Sequence, residues 1–305
     1  MTTTARGAAR PASTGTRRRR SFSPARGRPN PLATLVLGAF LAYVLVPLVW
    51  LVMSATKTDG DLFSTFGFAP GHEFVLLDNI QDVFTAEHGI FLLWMRNTLL
   101  YSLAAAAGAA LTSTLAGYAF AMFRFKGRTL IAGIILVTIM VPQTALAVPL
   151  FRVMREAGLV NTPFAVILPS VVSPFGVYLM WRYIEQSFPR DVLDAARVDG
   201  AGELRIVSSV AVPIVAPAIA TVFLFVCVAT WNNFLLPLLV LTDRDLQTLT
   251  VGLAAWNTQN MQAGNIEPVF TRVITAALIS ILPLIAAFFL LQRYWRSGLT
   301  AGAVQ

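Results

Sequence analysis

The sequence is poor in charge. Of its 305 residues only 12% are Asp, Glu, Lys or Arg, while 56% are hydrophobic and the mean hydropathy is +0.68. Soluble domains carry roughly a quarter charged residues. The composition therefore excludes an ordinary soluble enzyme and points to an integral membrane protein. Cysteine is almost missing: Cys227 stands alone inside an apolar run, which excludes a disulfide framework. His72 and His88 are the two histidines, so a His/Cys metal site is not expected. Lysine is equally scarce. Neither Lys57 nor Lys126 lies in a Gly-x-x-x-x-Gly-Lys-Ser/Thr loop, so the chain lacks a phosphate cradle of its own and binds no nucleotide cofactor by that route.

Long apolar runs fill the remainder. Six segments, roughly 32–54, 94–121, 129–150, 162–182, 214–240 and 272–291, approach the ~20 residues needed to cross the hydrocarbon core as a helix. A helix satisfies its own backbone in lipid. The expected fold class is an all-α integral membrane protein with six transmembrane helices. No Asp, Glu, Lys or Arg falls deep within these segments; Arg182 and Arg272 sit at ends. That argues against a proton relay and against an aspartyl intramembrane protease. Both histidines fall in 55–93, outside the spans, so a Ser–His intramembrane dyad is missing too. A receptor or assembly scaffold without transport activity remains open at this level.

The net charge of +8 is unevenly spread. Eight arginines from Arg6 to Arg28 precede the first apolar run, among Pro and Ser. They read as a disordered basic tail over 1–31 that sets topology and touches anionic lipid, in preference to a nucleic-acid arm. The first apolar stretch is longer than a signal-peptide core, and no small-residue cleavage site follows it closely. With the N-terminus in the cytoplasm, the inside segments hold 17 Lys and Arg against 6 outside, or 9 against 6 without the tail. The positive-inside rule then places both termini in the cytoplasm. The expected organisation is the tail 1–31, a first span with its outer loop 32–93, a core of five spans 94–291, and a cytoplasmic tail 292–305. Pro142, Pro149, Pro169, Pro174, Pro217 and Pro237 are expected to kink helices or mark their ends.

One polar stretch interrupts this pattern: "LDAARVDGAGE", residues 193–203. Ser187 and Pro189 suit a helix start. Asp191 falls early and Arg197 late, matching the helix dipole. Gly200 suits a left-handed stop. A helix of about ten residues is too short to span a bilayer. Ala195 and Ala196 would let another surface approach closely, and Asp194, Arg197 and Asp199 add charge. Spacing alone leaves two readings open, a solvated connector and a docking element.

Asp194-Ala-Ala-Arg-Val-Asp-Gly200, followed by Ile206 and Pro213, resembles the EAA loop of bacterial ABC-importer permeases, here within 187–213. Ala196 and Gly200 keep that pattern's spacing, and Asp194 stands where the pattern has Glu. The Val-Asp-Gly-Ala form resembles the carbohydrate-uptake branch of the maltose-permease type. Asn97-Thr98, Gly158-Leu-Val-Asn-Thr162, Trp231-Asn-Asn-Phe-Leu-Leu-Pro237, Gln247-Thr248-Leu249 with Gly252-Leu253, and Gly298-Leu-Thr-Ala-Gly-Ala303 resemble other parts of the same family, the last its second permease subunit. The likeness covers roughly 32–305. It implies a cytoplasmic coupling helix docked on a separate ABC ATPase dimer, which binds the ATP. It also implies a second permease subunit, an extracytoplasmic solute-binding protein, and a place in the bacterial cell membrane. By the resemblance, ATPase docking falls to Asp194, Ala195, Ala196 and Gly200, with Asp199 and Glu203 beside them. The solute path is harder to read. Gln143, Ser173, Trp231 and Asn232 offer hydrogen bonds or a stacking face, although polar residues in spans also serve helix packing. The tail after Arg296 either frays or, by the resemblance, reaches between the ATPase subunits.

Overall fold

The computed structural model describes residues 30–188, 190–262 and 270–301, with backbone alone for Arg190, 260–262 and 293–301. Most of the basic tail, Pro189 and the last four residues lie outside the described residues, as do the side chains of the Gly298–Ala303 motif. The described residues are helical, with no strand among them. The chain divides into two units, 1–46 and 47–305. The first holds most of the opening helix, α1 (Pro31–Ala55), whose apolar side chains such as Leu35, Leu37 and Phe40 are exposed.

In the second unit follow α2 (Asp59–Ser64), α3 (Leu76–Thr85), α4 (Ile90–Met122), α5 (Arg128–Ile139), α6 (Gln143–Glu156), α7 (Phe164–Val171), α8 (Pro174–Ser187) and α9 (Arg190–Val198). Then come α10 (Glu203–Ile206), a π turn (Val207–Ala211), α11 (Val212–Trp231), α12 (Leu235–Val240), α13 (Leu249–Gln262) and α14 (Phe270–Ala301). Among the described residues five helical stretches are long and apolar enough to cross a membrane, and the pair α5 and α6 makes a sixth if a bent pair is one span.

The expected spans and the observed helices differ at three places, each for a local reason. The third span is broken: α5 and α6 meet at 107°. Pro142, at the start of α6, cannot donate a backbone hydrogen bond and pushes Val141 away from helical geometry. The fourth is interrupted between α7 and α8, where Pro174 begins α8 and the Ser173 hydroxyl accepts from Gly176 N–H (3.1 Å). The fifth is displaced towards the N-terminus. A continuous helical stretch runs from Glu203 to Trp231, and α12 follows as a separate piece. Ile206, Val207 and Ala211 are buried, so the polar-looking residues 203–213 extend the long helix instead of belonging to a loop.

The core forms around α4. Its small residues Ala105, Ala106 and Ala109 are fully buried in a cluster with Met180 and Ile184 of α8 and Val215 and Val222 of α11. Gly117 permits a close approach of α4 to α8: a Cβ there would lie 2.6 Å from Met180 Cβ and 2.7 Å from Trp181 N. A second cluster, at the Trp94 end of α4, gathers Val83, Phe91, Trp231, Leu249, Trp256 and Ala276.

Candidate functional site

At the other end of α4, the short polar helix α9 carries Asp191 in its first turn and Arg197 in its last. Ser187, expected to cap it, is instead the last residue of α8. The stop is built as the sequence suggests. Gly200 has φ +80°, Ala201 N–H donates to the Ala196 carbonyl and Gly200 N–H to the Arg197 carbonyl, both at 3.0 Å. This is the paired bonding of a left-handed helix terminus.

The two faces of α9 differ. Leu193 is buried and Ala196 half-buried against the α4–α8–α11 core. Asp194, Ala195, Val198 and Asp199 are exposed, Val198 at 87%. Of the two alanines, Ala195 is therefore open and Ala196 packs inward. Leu204, the second residue of the next helix, is 82% exposed. Exposed apolar side chains among carboxylates make a surface ready to be covered.

Glu203 is half-exposed and bridges two neighbours. Its Oε1 accepts from Arg197 Nε (2.9 Å) and Nη2 (2.7 Å), and its Oε2 accepts from the Tyr118 hydroxyl (2.9 Å). The Glu203 hydrogen bond pushes the Arg197 guanidinium further up from its already high value. Asp194 approaches Arg197 at 3.8 Å. Tyr118, which the sequence did not single out, is 3% exposed.

The four solute-path candidates all sit at helix ends or breaks. Gln143 is the first residue of α6 and is exposed. Ser173 lies in the α7–α8 break. Asn232 is exposed at the end of α11 and its Nδ2 donates to the Val228 carbonyl (2.8 Å). Trp231 is buried in the aromatic cluster at 4% exposure. Among the described residues no hydrogen bond joins these three places.

The Trp94 end of α4 brings together fragments read separately in the sequence. Asn97 Nδ2 donates to the carbonyls of Asp245 (2.7 Å) and Gln247 (3.2 Å). Thr98 Oγ1 accepts from Leu249 N–H (2.7 Å). Trp94 Nε1 donates to the Arg244 carbonyl (2.9 Å) and the Tyr101 hydroxyl to that of Leu246 (3.1 Å). Asn161, at φ +61°, accepts on Oδ1 from the N–H groups of Thr242 (3.1 Å) and Asp243 (2.8 Å). Two ion pairs frame the cluster, Glu87 with Arg244 (2.6 Å) and Asp82 with Arg272 (2.5 Å). Glu87 also accepts from Trp256 Nε1 (2.8 Å). No spacing rule in the sequence announced these pairs.

Comparison with known proteins gives this architecture a family. Residues 113–299 match the family described as "Binding-protein-dependent transport system inner membrane component". The chain is 34% identical over 271 residues to the arabinooligosaccharides transport system permease protein AraQ of Halalkalibacterium halodurans, covering 88% of this chain and 94% of that one. It is 35% identical to the lactose transport system permease protein LacG of Rhizobium radiobacter, covering 88% and 93%. Its identity to the trehalose/maltose transport system permease protein MalG of Thermococcus litoralis is 32%, covering 89% and 96%. Among solved structures, a chain of a bacterial ABC transporter involved in the import of the acidic polysaccharide alginate has a similar fold. The TM-score is 0.74 at 23% identity, over 87% of this chain and 95% of that one. With a family match over most of its length and identities above 30% along nearly nine-tenths of it, the chain belongs to the inner-membrane components of binding-protein-dependent transport systems and is a multi-pass membrane protein.

Proposed function

We propose that this chain is one of two permease subunits of an ATP-driven importer for a sugar or oligosaccharide, and that α9 is its docking helix for the ATPase. The observation that carries the docking role is the two-faced α9. Leu193 and Ala196 fix it to the core, while Asp194, Ala195, Val198 and Asp199 stand open beside Gly200. Such a face fits a cleft on a partner: small and apolar groups allow close packing, and carboxylates pair with basic groups there. The ATP is bound by the partner ATPase dimer. The substrate class rests on the substrates for which the relatives are named, arabinooligosaccharides, lactose and trehalose/maltose. In this reading both termini and α9 are cytoplasmic, the Trp94 end of α4 faces outward, and an extracytoplasmic binding protein delivers the solute there. Gln143, Ser173 and Asn232 supply hydrogen-bonding groups along the path. Trp231 reaches the path only when the aromatic cluster around it opens.

The test is a pull-down of the tagged protein from native membranes in mild detergent, read by mass spectrometry. The wild type is expected to retain an ATPase subunit, Asp194→Glu to keep it, and Asp194→Lys to lose it. A well-preserved complex without an ATPase, or one that survives Asp194→Lys unchanged, overturns the docking role.

A further inference from the structure

The docking face explains how α9 meets a partner but not how its position reaches the membrane helices. Most of what fixes α9 to the rest of the chain is apolar. Leu193, Ala196 and Ala201 pack against the core, and such contacts are non-directional. Among the described residues a polar connection from α9 to the membrane core does exist, and it runs through one carboxylate. Glu203 bonds Arg197 of α9 with one oxygen and Tyr118 of α4 with the other, at 2.7 to 2.9 Å. Bonds of this length to charged groups are strong and orientation-dependent.

The placement of each partner matters. Glu203 is the first residue of the long stretch that becomes α11, where the helix dipole favours an anion. Tyr118 lies in the last turns of α4, buried at 3%. α4 is an uninterrupted helix of 33 residues, so Tyr118 stands about 36 Å from Trp94 along a rigid rod. At that far end Asn97 and Thr98 hold residues 245–249, which lead into α13. Just after Glu203 comes the π turn Val207–Ala211. A π turn locally widens a helix and often marks a functional site. Here it separates Glu203 from α11 and lets the two differ in register.

We infer that Glu203 is a positioning residue that ties α9 to α4 through Arg197 and Tyr118, so that ATPase-driven movement of α9 is delivered along α4 to the Asn97–Leu249 contacts. The π turn frees α11 from following the same movement rigidly. This rests on the docking reading of α9. The same bridge is then expected to carry a change at the far end of α4 back to the ATPase.

The experiment is a double-mutant cycle that reads this coupling and needs no knowledge of the solute. The complete complex in lipid nanodiscs is assayed for ATP hydrolysis per mole of assembled complex, with assembly measured separately by ATPase retention. Thr98→Val removes the acceptor for Leu249 N–H at the far end. Tyr118→Phe removes the bridge hydroxyl and keeps the ring. With the bridge intact, Thr98→Val is expected to change hydrolysis by about threefold or more, and in the Tyr118→Phe background by less than about 1.5-fold. Glu203→Gln keeps an amide oxygen for Tyr118 but loses the charge facing Arg197, and is expected to fall between. Normalising to assembled complex removes any effect of mere instability. Equal responses to Thr98→Val in both backgrounds, or none in either, overturn the bridge. If the wild-type permease retains no ATPase subunit, the docking reading fails first and takes the bridge with it. Retention with a flat cycle sinks the bridge alone.

Discussion

Replacing Gly200 separates what the chain itself requires from what a partner requires. The residue sits at φ +80°, and a Cβ built on it meets nothing within 4 Å. Within this chain a side chain there has room, so its cost is backbone strain alone. Left-handed geometry costs an ordinary L-residue about 1–2 kcal/mol, whereas Asn adopts it with local hydrogen bonding. Gly200→Asn should therefore melt close to the wild type, and Gly200→Ala should melt lower. On a docked surface the same added atoms are crowded. Overpacking a tight contact costs about 1–3 kcal/mol, which corresponds to roughly fivefold to 150-fold weaker binding. The assay is affinity of the purified ATPase subunit for permease in nanodiscs, alongside thermal unfolding of each variant. Gly200→Asn is expected to keep the fold and lose affinity. If it binds within about twofold of wild type, the space beside Gly200 is open in the complex too and the docking face has been misplaced.

Other expectations follow from single contacts. Gly117→Ala would place its Cβ 2.6 Å from Met180 Cβ and 2.7 Å from Trp181 N. Backbone on one side leaves no cheap relief, so a loss of about 1–3 kcal/mol is expected. Gly133→Ala, with nothing within 4 Å, should be neutral or gain up to about 1 kcal/mol from helix propensity. Thermal unfolding of the two variants in opposite order would refute the α4–α8 packing. Asn161→Ala removes the acceptor for Thr242 and Asp243 N–H. About 1–3 kcal/mol of stability should go with it, together with faster proteolysis near residue 242; unchanged proteolysis would mean that the two segments are held otherwise. The Asp61 carboxylate, 2.5 Å from His72 Nδ1, raises the His72 pKa above its usual 6.5 and is itself held below 3.8, chiefly by the same hydrogen bond. Stability from His72 is full below 6.5 and lost as pH rises through its raised value. That from Asp61 is full above 3.8 and lost as pH falls through its lowered value. With two histidines in the chain, NMR of 13C-labelled histidine resolves His72. Asp61→Asn should return it towards 6.5, and no movement would remove the pair.

Local signals in the sequence carried a good deal of this architecture. The apolar runs anticipated where helices lie because lipid-compatible helices need long uncharged stretches. The polar helix was legible because its stop is a local device: Gly200 takes the left-handed conformation, and the N–H groups of Ala201 and Gly200 close α9 through bonds five and three residues back. Pro142 and Pro174 marked real breaks for the same reason, since proline alters the backbone at its own position. The sequence was less informative where burial decided. Residues 203–213 mix Glu, Arg and two serines with Ile206, Val207 and Ala211, and only packing against α4 and α8 makes them the start of a long helix. Ser187 carries a good capping side chain but falls where α8 ends.

By itself the sequence determined an all-helical membrane chain, the place and the stop of its short polar helix, and the separate motifs near Asn97, Asn161 and Gln247. The tertiary structure alone decided that Asn97 holds Gln247, 150 residues away, that Trp231 is buried in a hydrophobic cluster, and that Glu203 bridges Arg197 and Tyr118. The physical reason is range. Capping, helical period and proline geometry act within a few residues and leave a spacing to read. A hydrogen bond between distant segments depends on which helix faces pack together, and no short window of sequence encodes that choice.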